Sequence, residues 1–172
     1  MPRPLHRVAV ALGSNLGDRR AHLDYAVGRL ADAISELTVS RFRETAPVGV
    51  LRQPAFLNGA AVGRTALGPR ALLEFFLTVE RERGRERPFG GAPRTLDLDL
   101  ILYGHEVIRE AGLVVPHPRF RDRFFVLAPL AEIAPDLIDP VSGLTVGELL
   151  ARRRGEGKQG RREGKEEREE RE

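Results

Sequence analysis

The sequence predicts an α+β fold, with helices packed on a mostly antiparallel sheet in the order β-α-β-β-α-β and further helices toward the C-terminus. Three observations lead there. Two stretches repeat apolar residues at helical spacing, Leu23-Val27-Leu30-Ile34 and Leu72-Leu73-Phe76-Val79. Shorter apolar or alternating runs lie around them, each bounded by Gly, Pro, Asn or Asp. The most regular of these, Asp97-Leu98-Asp99-Leu100-Ile101-Leu102-Tyr103, alternates carboxylate and leucine before Gly104.

In chain order, residues 7–12 read as a buried strand ending at Gly13, and Ser14, Asn15 and Asp18 are candidate N-caps for the first helix. Leu37 to Glu44 reads as a second strand, and residues 45–54 as a Pro- and Gly-punctuated loop of a length that is usually functional or mobile. Phe56 to Thr65 reads as a third strand whose Gly59 and Gly63 suggest bulges or close backbone approach. Pro69 opens the second helix and Gly84 closes it. A second Gly/Pro/Arg loop, 85–93, feeds the Asp-bearing strand, on which Leu98, Leu100 and Leu102 should face one way and Asp97 and Asp99 the other. The order is the split βαβ arrangement of ferredoxin-like sheets. Beyond it come a short extended piece at Val114–Pro118, a helix over 123–134 containing Pro129, and the capping-box pattern Thr145-Val146-Gly147-Glu148 opening a last helix. Residues 1–150 therefore form a single expected domain. From 151 to 172 the chain is Arg, Glu, Gly and Lys with almost nothing apolar, an expected disordered or frayed helical tail.

Composition narrows the function classes. At 172 residues with 41% hydrophobic content, the chain is long enough for one well-packed domain and too short for two ordinary ones. Cysteine is absent, which excludes disulfides, thiolate metal sites and a Cys nucleophile. Lysine occurs only at 158 and 165, so a G-x-x-x-x-G-K-[ST] phosphate loop is impossible. The net charge of +3 is too small to argue for a nucleic-acid partner. With no long apolar run, the expectation is a cytoplasmic protein that touches no membrane, and a monomer is expected.

Asp97 and Asp99 on one face of a strand have Cα atoms roughly 6–7 Å apart. Such a pair is either a solvated strand end or a seat for one or two hard cations. Arg81, Arg83, Arg85, Arg87 and Arg94 lie just upstream. Guanidinium groups beside paired carboxylates suit a metal–polyphosphate complex, because Arg binds phosphate bidentately and Mg²⁺ neutralises the same oxygens.

The block Pro93-Arg94-Thr95-Leu96-Asp97-Leu98-Asp99 with Tyr103-Gly104 resembles the signature of the 6-hydroxymethyl-7,8-dihydropterin pyrophosphokinases of folate biosynthesis. Gly13-Ser14-Asn15-Leu16, Thr45-Ala46-Pro47-Val48-Gly49, Phe56-Leu57-Asn58, Gly84-Arg85-Glu86-Arg87, Val115-Pro116-His117 and Phe125-Val126-Leu127 extend the likeness over residues 7–150. The resemblance implies Mg²⁺-dependent transfer of pyrophosphate from ATP to the pterin hydroxymethyl group, with release of AMP. It implies two Mg²⁺ ions on Asp97 and Asp99, with Arg85, Arg87 and Arg94 at the triphosphate. It assigns Glu80, His117 and Arg123 to ATP. The pterin falls to Thr45 and Val48 through their backbone, to Asn58 through its amide, and to Phe56 and Phe125 by stacking. Where relatives often carry Trp shortly before the Pro-Arg, this chain has Gly90-Gly91-Ala92 after Phe89.

Two other readings compete. A ferredoxin-like RNA-binding module would need adjacent exposed aromatics on the central strands, and Phe42 and Phe56 are too sparse. A scaffold that has lost catalysis would not be expected to keep Asp97, Asp99, Arg94, His117 and Asn58 together.

Overall fold

The computed structural model describes residues 4–45, 55–84 and 95–155. Strand β1 (His6–Ser14) leads through the turn at Gly17 into helix α1 (Arg19–Ala33). Of the candidate caps Asp18 serves, its carboxylate accepting from the Ala21 amide at 3.1 Å. Strands β2 (Ser35–Val39), β3 (Arg43–Thr45) and β4 (Phe56–Thr65) follow, then helix α2 (Pro69–Glu82) and strand β5 (Asp97–Tyr103). The sheet order is β2-β4-β1-β5, every pair antiparallel, with β3 also on β4. This is the expected ferredoxin-like βαββαβ core. A hairpin of β6 (Ile108–Glu110) and β7 (Leu113–Val115), a 3₁₀ turn at Phe120–Asp122, helix α3 (Phe124–Ile133) and a final helix over 146–155 complete the described chain.

Each face of the sheet carries its own core. On the back, α1 presents Leu23, Ala26 and Leu30 and α2 presents Leu72, Phe76 and Val79 to Val8, Val10, Leu12, Ala61, Leu98 and Leu100. On the front, Val126, Leu127 and Leu130 of α3, joined by Val146, Leu149 and Leu150 of the last helix, cover Ala9, Ala60, Val62, Ile101 and Leu102. That last helix opens with the reciprocal box the sequence predicts. The Glu148 amide donates to Thr145 Oγ1 at 3.1 Å, and the Thr145 amide to Glu148 Oε1 at 3.3 Å.

Three expectations need correction. The single strand over 37–44 is two, because the chain breaks at Ser40–Phe42. Ser40 there replaces ladder contacts, its amide donating to the Ala60 carbonyl and its hydroxyl accepting from the Ala60 amide, each at 2.9 Å. By contrast, Gly59 and Gly63 show the close approach expected of them, and the β2–β4 register shifts opposite Gly63. They admit close neighbours: a Cβ at Gly59 would lie 2.6 Å from the Phe42 ring, and one at Gly63 would lie 2.4 Å from Ile34 Cγ2. Leu102 does not share a face with Leu98 and Leu100. The register shifts between Ala9 and Val10, so that Ile101 is the extra residue of a bulge and Leu102 turns to the front core. The β6–β7 hairpin stands where only a short extended piece at Val114–Pro118 is expected, its strands of three residues being too brief for a periodic signal.

The turn after α3 is fixed by a buried carboxylate. Asp139 is fully buried and accepts from Arg121 Nε (2.5 Å) and Nη2 (2.8 Å), from the Val141 amide (3.0 Å) and from the Ser142 hydroxyl (2.6 Å). Burial alone would raise its pKa, but the Arg121 bridge and the Ser142 and Val141 hydrogen bonds outweigh that and hold it at about 2. A depressed carboxylate pKa stabilises the fold above its unfolded value and loses that contribution as pH falls toward the folded value. Asp139→Asn is therefore expected to lower stability by about 2 kcal/mol at pH 7, and to shrink the fall in urea midpoint between pH 4 and pH 2. An unchanged acid limb in the variant would contradict the assignment.

Candidate active site

The register of the sheet assembles the site. Arg43 of β3, Asn58 of β4, Gly13 of β1 and Asp97 of β5 lie in one row across four strands. The next row toward the middle of the sheet reads Ala60, Ala11, Asp99, and in the other direction Thr45 opposes Phe56. Directly opposed residues share a face. Thr45, Phe56, Asn58, Asp97 and Asp99 therefore look out from the front, beyond the part that α3 covers.

Between the amide and the carboxylates the floor is small. Gly13 and Ala11 of β1 stand opposite Asp97 and Asp99, leaving room above the strand. A Cβ at Gly13 would lie 2.9 Å from Asn58 Oδ1, so only glycine lets the amide rest there. Asn58 is nearly buried and donates from Nδ2 to Thr45 Oγ1 at 2.5 Å. That bond uses one amide hydrogen and leaves the other, with Oδ1, for a ligand edge.

The Asp-bearing strand is held from behind. Glu80 of α2, 1% exposed, accepts through Oε2 from the Leu98 amide at 3.1 Å, at the peptide between Asp97 and Asp99. Thr95, at the strand's entrance, donates its hydroxyl to the Arg83 carbonyl at 2.7 Å, so the end of α2 and the start of β5 are joined.

His117 enters from the segment after β7, its amide donating to the carbonyl of the bulged Ile101 at 3.0 Å. Burial lowers its pKa, Arg123 and Arg119 lower it further, and Asp97 opposes them, which puts the ring within electrostatic reach of the carboxylate row. Its Nδ1 accepts from the Arg119 amide at 3.2 Å, so the neutral ring carries its proton on Nε2. Arg123 is the residue before α3, and its guanidinium stacks 5.6 Å from the centroid of the Phe125 ring.

The structure thus brings Thr45, Phe56, Asn58, Asp97 and Asp99 onto one face, puts His117 within electrostatic reach of Asp97 and Arg123, and sets Arg123 against the Phe125 ring. Glu80 meets the strand backbone from the back face. Val48, Arg85, Arg87 and Arg94 lie outside the described residues. The anchoring contact of Glu80 was not legible in sequence, and neither was the Arg19 side chain, which reaches from α1 to β3. Arg19 did leave one signal: a cation in the first turn of a helix opposes the helix dipole and so asks for a tertiary partner.

Two carboxylates offer hard oxygen donors for a cation, and among the described residues no group of three or more His, Cys, Asp or Glu does. Mg²⁺ is ordinarily held in this incomplete way, with phosphate oxygens and water filling the remaining positions. The small residues opposite the pair leave space for such ligands. The donor set fits.

A model of the 7,8-dihydro-6-hydroxymethylpterin-pyrophosphokinase (HPPK) family matches residues 9–135. The chain is 48% identical over 126 residues to the 2-amino-4-hydroxy-6-hydroxymethyldihydropteridine pyrophosphokinase of Bacillus subtilis, covering 72% of this chain and 75% of that one. It is 42% identical over 135 residues to the mitochondrial folate synthesis bifunctional protein of Arabidopsis thaliana, covering 78% of this chain and 24% of that longer one. The crystal structure of wild-type Plasmodium falciparum HPPK-DHPS superposes with a TM-score of 0.70 at 12% identity, over 87% of this chain and 45% of that chain. That likeness speaks for the fold alone.

Gly13→Ala is expected to displace the Asn58 amide from Thr45 at a cost of about 1–3 kcal/mol. The Asn58 side-chain ¹⁵N–¹H resonances should shift while the backbone resonances of β1 and β4 keep their pattern. Unmoved Asn58 resonances would refute the close approach.

Proposed function

Because the chain belongs to the 7,8-dihydro-6-hydroxymethylpterin-pyrophosphokinase family, enzymes of folate synthesis, we propose that it transfers pyrophosphate from ATP to the hydroxymethyl group of 6-hydroxymethyl-7,8-dihydropterin, releasing AMP, with Mg²⁺. The observation that carries this reading is the row Asn58–Gly13–Asp97. Two strand spacings separate the outer members, about 10 Å at the sheet floor. A flat heterocycle gripped by Asn58 would extend its side arm toward phosphates gathered over Asp97 and Asp99.

The residues divide the work. Asn58 reads the pterin edge with its remaining amide hydrogen and Oδ1, while the Thr45 bond fixes which way the amide points. Phe56 and Phe125 bound the ring from above and below, and the backbone of Thr45 and Val48 completes the edge contacts. His117 donates from Nε2 to a phosphate oxygen, and Arg123 supplies a charge beside it. Arg85, Arg87 and Arg94 contribute the further guanidinium groups that a triphosphate needs. Glu80 serves the nucleotide end by fixing the strand on which the carboxylates stand. Two Mg²⁺ ions held by Asp97 and Asp99 would neutralise the phosphate oxygens and make the hydroxymethyl group easier to deprotonate. The hydroxyl gives up its proton to water as its oxygen attacks the β-phosphorus, the bond from that phosphorus to the bridging α,β-oxygen breaks, and AMP leaves with that oxygen. Positioning and charge neutralisation supply most of the acceleration in phosphoryl-type transfers, which suits a site built from fixed charges on a rigid sheet.

Residues 1–150 make up the proposed catalytic domain, whose last helix runs on to 155, and 151–172 its charged tail. The enzyme is proposed to work as a cytoplasmic monomer on small molecules, with no nucleic-acid or membrane partner. No helix among the described residues is long and apolar enough to cross a membrane.

AMP release from ATP and Mg²⁺, with and without the pterin, tests the reading. AMP should form only with the pterin present, and Asp97→Ala should slow it by about a thousandfold or more. Folded wild-type protein that gives no pterin-dependent AMP would overturn the assignment.

A further inference from the structure

Behind the front-face row lies a contact that the proposed chemistry does not use. Arg19, the first residue of α1, sends its guanidinium to two strands at once: Nη1 donates to the Ala55 carbonyl at 2.8 Å, and Nη2 pairs with the Glu44 carboxylate. Glu44 is the middle residue of β3, so its side chain points to the back face while those of Arg43 and Thr45 point to the front. Ala55 immediately precedes β4, one residue before the Thr45–Phe56 pair that ends the β3–β4 ladder. One cation thus joins the two strand ends that carry Thr45, Phe56 and Asn58.

The strand it holds needs holding. β3 is three residues long and, among the described residues, pairs with β4 alone. On the front, Glu132 of α3 binds the Arg41 amide (2.7 Å), the Arg41 guanidinium (3.0 Å) and the Arg43 guanidinium (2.9 Å), which fixes its beginning. Among the described residues, Arg19 alone ties its far end to a helix. Arg19 is also placed against the dipole of its own helix, an unfavourable position that the Glu44 and Ala55 contacts offset. The neighbouring Arg20 makes different contacts, with Asp24 at 3.3 Å and with the Phe42 ring at 5.0 Å.

We propose that Arg19 is a positioning residue for pterin recognition, which clamps β3 to the start of β4 and so fixes the Thr45 hydroxyl that orients the Asn58 amide. The inference rests on the reading that Asn58 and Thr45 bind the pterin. The clamp acts through the sheet, from the face opposite the ligand. ATP recognition, built on β5, His117 and Arg123, stays independent of it.

The test measures KM for pterin and for ATP separately in wild type, Arg19→Ala, Arg19→Lys, Arg20→Ala and Asn58→Ala, with thermal midpoints alongside. Arg19→Ala should raise the pterin KM about tenfold while the ATP KM moves less than about twofold. Arg19→Lys, which keeps the charge toward Glu44, should recover part of the loss and covers the case in which the alanine variant does not fold. Arg20→Ala should match wild type in both constants. Equal changes in the two KM values, or a fall in thermal midpoint with no change in either, would mean a merely structural contact and overturn the inference. If Asn58→Ala raises the pterin KM and Arg19→Ala does not, the clamp is wrong and the pocket stands. If Asn58→Ala changes nothing, the pocket assignment falls and the clamp falls with it.

Discussion

The structure depends on one strand being bonded along both edges. β1 pairs antiparallel with β4 on one side and β5 on the other, and both registers are fixed at Gly13. A slip of one residue in either ladder would send Asn58 or the aspartates to the back face, into the apolar layer of α1 and α2. The hydrophobic pattern forbids that slip, since Val8, Val10 and Leu12 are required behind the sheet. The apolar core of β1 therefore determines that an amide and two carboxylates meet on the other side. Function here is the remainder of a packing solution.

The supports share a logic. Thr45, Phe56, Asn58, Asp97 and Asp99 stand on strands, and β3 and β5 are each secured from an adjacent helix by a charge. Glu80 of α2 takes the Leu98 amide of β5, Glu132 of α3 takes Arg41 and Arg43 beside β3, and Arg121 with Asp139 closes the turn after α3. The Glu80 and Asp139 bonds lie at buried or partly buried positions, where such bonds are stronger than at the surface, while the Glu132 pair lies exposed. Substrate-facing carboxylates on so short a stretch repel each other, and a strand that could yield would relax that repulsion by turning one away. Fixed peptides remove the option.

Much of this was legible in the chain. The helices α1 and α2 announced themselves by periodicity, and the cap at Asp18 and the box at Thr145 and Glu148 by residue type, because those signals are local. The alternation of Asp97, Leu98 and Asp99 gave the strand and the shared face of the carboxylates. What escaped depends on distant atoms. The break between β2 and β3 is set by Ser40 bonding across to Ala60 and by Phe42 filling the space above Gly59. The reversal at Leu102 follows from a bulge that only pairing with β1 creates. Glu80 was assigned to ATP by resemblance, and nothing local tells that its carboxylate meets an amide of β5. Arg19 was hidden by abundance: in a chain where nearly every cation is Arg, residue type distinguishes none of them.

That same abundance has a chemical corollary. Among the described residues guanidinium groups cover aromatic faces repeatedly, Arg20 on Phe42, Arg29 on Phe75, Arg83 on Tyr25 and Arg123 on Phe125. Arginine does this well because its planar, weakly hydrated cation stacks where an ammonium would not. Primary amines are correspondingly scarce, confined to the chain's α-amino group, Lys158 and Lys165. Acylating dyes, cross-linkers and activated resins that seek amines will thus bypass the sheet, both cores and the ligand face. The protein can be tagged or immobilised through its α-amino group and its C-terminal tail with every group proposed to meet substrate chemically untouched.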